Sequence, residues 1–163
     1  MNRLTRIGVA AALTAVSALA LSQGGPPGPP NPEAQAKTAI ETRQGLFKLI
    51  ANQNAALGAM QRGTREFDAA VAGRNAARIQ SLAGMIPELF TADTRAIKTF
   101  KTAALDGIWT SQADFAAKAD ALAKAVGAVA DAAKTGDKAN TVKAIAEIGK
   151  TCGGCHDNFR AKP

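Results

Sequence analysis

Apolar side chains recur along this chain at steps of three, four and seven, and the strict alternation of a half-buried strand is almost absent. The pattern predicts four principal helices. The first begins after Pro32, near Glu33, and runs to about Met60; Leu46, Ile50, Leu57 and Met60 form its core-facing stripe, with Phe47 beside Leu46. Gly63 reads as its stop and Thr64 as the cap of a second helix, from about Arg65 to Met85. Phe67, Val71, Ile79, Leu82 and Ile86 trace the apolar side of that helix, and Ala70 and Ala77 would allow close approach. Pro87 ends it, because proline breaks the helical hydrogen-bond ladder.

Between Glu88 and Ser111 the periodicity weakens, yet Phe90, Ile97, Phe100, Leu105, Ile108 and Trp109 are too apolar for a free linker. A short helix with turns, folded over one end of the molecule, is expected there. Ser111, followed by Asp114 in the capping-box position, reads as the N-cap of the third helix, whose seam is Phe115, Leu122, Val126 and Val129. Thr135-Gly136-Asp137 forms a turn. The fourth helix starts near Lys138 and carries Val142, Ile145, Ile148, Cys152, Cys155 and Phe159. Four helices with one apolar side each predict an all-α fold, an antiparallel four-helix bundle around a single core.

The N-terminus stands apart from this pattern. Arg3 and Arg6 precede an uncharged run from Ile7 to Leu21, and Ala18-Leu19-Ala20 has the small-x-small form of a cleavage site. Residues 1–20 therefore read as a secretory signal, too short for a membrane span, which implies export with no stable membrane insertion after cleavage. The glycine and proline of residues 21–32 predict a disordered arm, leaving residues 33–163 as the bundle. That length suits one domain. The formal charge is +7, but the basic residues are dispersed among acids, there is no tyrosine and only one tryptophan. Nucleic-acid binding is a poor fit. The positive surface either steers encounters with an acidic redox partner protein or maintains solubility.

The chemistry lies in Cys152-Gly153-Gly154-Cys155-His156, the attachment signal of c-type haem. Two thiols at this spacing can each add across one vinyl group of the porphyrin, and the next residue is then held beneath the iron as its axial ligand. On a helix, Cys152, Cys155 and His156 are three and four residues apart and share one face. A disulfide or thioredoxin-like pair is the bland alternative. Such a redox site belongs early, between a strand and a helix, and gives the adjacent histidine no role. A haem would also add the core bulk that alanine lacks, so the haem-free protein is expected to be weakly packed.

His156 is the only histidine, so bis-histidine ligation within one subunit is excluded. Beyond the signal only Met60 and Met85 remain as methionine ligands, both read as core fillers, and lysine or glutamine is a weaker candidate. Five-coordinate iron follows, with an apolar pocket opposite His156 that suits nitric oxide or carbon monoxide. The alternative is a low-spin electron-shuttle cytochrome with a sixth axial ligand. A peroxidase would need a distal histidine, so no enzyme activity is expected.

The CxxCH on the C-terminal helix, Arg160 four residues beyond His156, Arg43-Gln44 in the first helix, Leu89-Phe90 and Ile108-Trp109 together resemble the cytochrome c prime family over about Glu33 to Lys162. The resemblance implies an up-down four-helix bundle, the architecture with which this family is associated. It implies one covalently bound haem c, a periplasmic location, single-electron exchange and a homodimer through the first two helices, where Ala55, Ala56, Ala69 and Ala70 would permit contact. It places Phe47 over the open face of the haem, where low-spin relatives carry a ligating methionine. It puts Arg43 and Gln44 at the haem edge and propionates, and Arg160 on the proximal side as a cation tuning the imidazole. It also implies that nitric oxide displaces the proximal histidine, with Arg160 near the vacated side. Trp109 is expected to pack near the haem side of the bundle.

Overall fold

The side-chain oxygen of Asn31 accepts hydrogen bonds from the Glu33 and Ala34 amides and so opens the first helix, α1 (Pro32–Gln61). The computed structural model describes residues 31–162. The signal expected over residues 1–20 lies outside them, as does the arm up to residue 30. Pro32, assigned to the arm from sequence, is instead the first residue of α1, where its missing amide hydrogen costs no helical bond.

The start of α2 (Ala69–Gly84) differs from expectation. Gly63, in the left-handed region at φ 72°, ends α1, and the amides of Thr64 and Arg65 both fold back onto the Ala59 carbonyl. Thr64 is thereby tied to the end of α1, and its hydroxyl also donates to Ala59. The cap of α2 is Asp68, whose carboxylate accepts from the Val71 amide at 2.9 Å. The second helix thus begins four residues later than the periodicity suggested.

Pro87 does not terminate α2 either. The helix stops at Gly84, and Pro87 lies in the first turn of the short α3 (Ile86–Leu89). After an irregular stretch, α4 (Gly107–Thr110) provides the expected short helix. Ser111 does precede α5 (Gln112–Lys134), but its side chain makes no capping bond, so the Ser111–Asp114 capping box does not form. Its amide is occupied in closing α4 on the Gly107 carbonyl at 2.9 Å. Gly136, at φ 73°, makes the next turn, and Asp137 caps α6 (Lys138–Phe159) through the Asn140 amide.

Helices α1, α2, α5 and α6 form the bundle. Leu57, Ile79, Val126, Val129 and Ile148 are fully buried at its centre. The α2–α5 contact is extensive, with small residues buried on both helices: Ala72, Ala76 and Ala83 on α2, Ala119 and Ala133 on α5, and a side chain at Gly73 would touch Ala133. Ala70 and Ala77, expected in this role, point outward, because they stand off the 72–76–79–83 seam. In α6, Thr141 is fully buried and Val142 only half so. The Thr141 hydroxyl donates to the Asp137 carbonyl at 2.7 Å, which removes the cost of burying it. Beyond α6 an antiparallel bridge pairs Ala104 with Arg160. Leu105 donates to Phe159 at 3.0 Å and Ala161 to Ala103 at 2.8 Å. Among the described residues no helix is long and apolar enough to cross a membrane.

Candidate functional site

Where α1 and α6 face one another the bundle encloses a predominantly apolar cavity of about 600 Å³. The α6 wall carries Ile148, Thr151, Cys152, Cys155, His156 and Phe159, an i, i+3, i+4, i+7 series on one helix face. The α1 wall carries Ile40, Arg43, Gln44, Phe47 and Lys48. Ile79, Ile86, Phe90, Ile108, Phe115 and Leu122 close the remaining sides. All seven residues singled out from sequence, Arg43, Gln44, Phe47, Cys152, Cys155, His156 and Arg160, line this one space.

The two cysteines are free thiols, partly buried, and burial pushes both above the ordinary thiol value. For Cys155 the neighbouring Cys152 and Asp114 add to that push, while Lys118 opposes it. His156 is lowered, chiefly by burial and then by the positive charge of Arg160, against the pull of Asp157. A depressed histidine is a neutral imidazole near pH 7, the form that can donate a lone pair to a metal. Two thiols and one imidazole on a single wall of an apolar cavity fit a planar iron macrocycle held by its edge and ligated from one side.

Neither methionine of the described bundle joins the lining. Met60 is buried in the core at the end of α1, and Met85 lies half exposed at the end of α2. Phe47 presents its ring from α1 into the cavity, 38% exposed, with the Phe90 ring 6.3 Å away.

Arg43 is more deeply held than a solvated helix charge, at 4% exposure. Its guanidinium donates to the Leu89 and Ala92 carbonyls and to the Thr94 hydroxyl, and burial lowers its pKa while the charge of Asp93 works the other way. Gln44 donates to the Lys101 carbonyl at 3.1 Å. Arg160 follows the last turn of α6, its amide bonded to the His156 carbonyl. Trp109 packs on Phe90 from outside the cavity lining, and its indole donates to the Phe90 and Ala92 carbonyls. Sequence reasoning missed Phe90 as the hub of the aromatic cluster: its ring lies 4.9 Å from Phe115 and 6.2 Å from Trp109. It also missed Lys48 and Lys118 at the cavity wall.

Comparison with known proteins agrees with this architecture. The family model described as Cytochrome C' matches residues 38–160. Cytochrome c' of Rubrivivax gelatinosus is 41% identical over 124 residues, which is 76% of this chain and 95% of that protein. Cytochrome c prime from Shewanella frigidimarina superposes with a TM-score of 0.70 at 38% identity, covering 78% of this chain and 97% of that one. A variant of cytochrome c prime from Alcaligenes xylosoxidans, solved as a nitric oxide complex, gives 0.69 at 25% identity, covering 78% and 97% respectively. The bundle, the CxxCH wall and the extent of these matches lead to one conclusion: the chain belongs to the cytochrome c' family, the class II c-type cytochromes.

Proposed function

We propose that this protein is a gas-binding c-type haem protein, a carrier that also exchanges single electrons and turns over no substrate. Its cofactor is haem c, one per chain. The observation that carries the reading is the occupancy of the α1 wall: Phe47, which has no lone pair to donate, stands in the cavity that Cys152, Cys155 and His156 line from α6. The haem supplies an iron that is five-coordinate and high-spin, able to take nitric oxide or carbon monoxide at its sixth position.

The roles of the protein's own residues follow from their positions. Cys152 and Cys155 would hold the haem, each by adding its S–H across a vinyl group to give a thioether, an addition that needs no oxidant. His156 would offer its neutral imidazole to the iron from the same wall. Phe47 makes the opposite side small and apolar, which admits a diatomic molecule and excludes a bulky or strongly hydrogen-bonded one. Gln44 and Arg43 stand at the ring edge, where a cation and an amide suit propionates. Arg160, whose charge already acts on His156, is the proximal-side cation and lies near the face that a displaced imidazole would vacate.

Ferrous haem-loaded protein should show a high-spin spectrum and bind both gases in titration. A low-spin spectrum before gas is added would establish instead an electron shuttle with a sixth axial ligand. Persistent six-coordinate signal throughout a nitric oxide titration would refute proximal displacement. The leader and the family support a periplasmic location, testable by cell fractionation. A homodimer through α1 and α2 is supported by Leu49 on α1 and Met85 just after α2, both apolar and about half exposed, and by the exposure of Ala55 and Ala70 on the same two helices. Sedimentation of Leu49→Glu against the parent protein tests it. An acidic redox partner protein is consistent with the net charge of +7.

A further inference from the structure

The turn from Phe90 to Thr94 belongs to no helix or sheet, yet its first residue, Phe90, lines the cavity. Two side chains hold it: the Trp109 indole donates to the Phe90 and Ala92 carbonyls, and Arg43 reaches it from α1. Arg43 donates through Nε to the Leu89 carbonyl at 2.7 Å, through Nη1 to the Thr94 hydroxyl at 3.0 Å and through Nη2 to the Ala92 carbonyl. Its guanidinium carbon lies 4.6 Å from the centre of the Phe90 ring and 5.5 Å from that of Trp109. Thr94 is as buried as its partner, at 6% exposure. Among the described residues no carboxylate is bonded to Arg43; the nearby Asp93 pairs with Arg95. A buried cation satisfied by neutral oxygens and ring faces costs desolvation energy without the return of an ion pair. What the arrangement does gain is geometry, since the planar fork fixes three points of the turn at once.

The residue so fixed is Phe90, 6% exposed, whose ring is wedged between Phe47 and Phe115. Phe47 leans on it at the mouth of the gas pocket. We propose that Arg43 is a positioning residue for gas entry: it holds the Phe90–Thr94 turn, the turn holds Phe90, and Phe90 keeps Phe47 over the ligand side of the cavity. This rests on the assignment of Phe47 to that side. Whatever Arg43 contributes at the haem edge, its three donors to the turn give it a second task. The rate of gas association then follows the fraction of time the Phe47–Phe90 pair is displaced, which the latch keeps small.

The test compares full-length haem-loaded protein with Arg43→Met, Arg43→Lys, Thr94→Val and Phe90→Leu. Two readouts are needed: carbon monoxide association by flash photolysis, and amide hydrogen exchange across residues 90–96. Arg43→Met removes all three hydrogen bonds and should raise the association rate at least about tenfold, the effect of losing even one of them from the closed form, and should speed exchange in the turn. Arg43→Lys, a point charge in place of the fork, should fall between it and the parent. Thr94→Val removes one acceptor at nearly constant shape and should move both readouts in the same direction, which keeps the test open if Arg43→Met loads haem poorly. Phe90→Leu should speed association and leave exchange in the turn near the parent level. Unchanged exchange in both latch variants, or faster exchange with an unchanged association rate, overturns the proposal. A parent protein that takes up no carbon monoxide overturns the functional reading instead, so the two failures are told apart.

Discussion

Arg43 and Trp109 converge on one acceptor, the Ala92 carbonyl, which receives a guanidinium hydrogen from the first and the indole hydrogen, at 3.2 Å, from the second. The indole also donates to the Phe90 carbonyl at 3.0 Å. Replacing Trp109 with Phe keeps a ring against Phe90 and removes only the donor. The expected cost is about 1–2 kcal/mol of stability, that of the lost hydrogen bonding. A lower denaturant midpoint, with unchanged haem absorption, is the signature to look for.

A methionine at position 47 should convert the iron. Phe47 lines from α1 the same cavity that Cys152, Cys155 and His156 line from α6, so a thioether there would stand as a candidate sixth ligand. Phe47→Met is expected to give a low-spin ferric and ferrous spectrum and to slow carbon monoxide binding by an order of magnitude or more, since the thioether must first leave. A spectrum that stayed high-spin would mean that position 47 does not face the iron.

Loss of the cofactor should loosen the bundle. Without the ring, the apolar walls of a cavity of about 600 Å³ lose the packing partner that fills it. A typical domain has a net stability of only about 5–15 kcal/mol, so such a loss is felt by the whole core. Protein carrying Cys152→Ser and Cys155→Ser, produced without haem, is therefore expected to retain its helical far-ultraviolet circular dichroism and lose its near-ultraviolet signal. Sharp near-ultraviolet bands in that protein would contradict this expectation.

Asp93 gives the outer side of the same turn a pH dependence. Its hydrogen bonds from Arg95, first through the side chain and then through the backbone, hold its carboxyl below the ordinary carboxylate range. A depressed carboxyl stabilises the folded state above its unfolded pKa of about 4, and the contribution is lost as pH falls through the lower folded value. Because the pair is exposed the effect should be small. Asp93→Asn is expected to melt slightly below the parent at pH 7, with the two curves converging as pH falls through the lowered folded value.

Most of the bundle and the CxxCH wall of the cavity were legible in the sequence, for a physical reason. Helix identity rests on periodicity, and CxxCH is a local pattern whose spacing already places three side chains on one face. Boundaries were less legible, because neighbouring residues competed for the same role. Thr64 and Asp68 both suit an N-cap, and the choice fell to Asp68 once Thr64 was drawn back onto Ala59. Pro87 suits both the end of one helix and the first turn of another, and only the chain's path separates these. Arg43 was the hardest to read. Its partners lie 46 to 51 residues away in an irregular segment, and no local pattern in the chain announces such a contact.

The close packing of α2 on α5, through Ala72, Ala76, Gly73 and Ala133, has no counterpart between α1 and α6, which diverge around the cavity. The molecule is thus stitched along one seam and propped apart along the other, like a book held ajar. Any strain from gas uptake should fall on the propped pair, and the alanine spine would stay still as their common hinge.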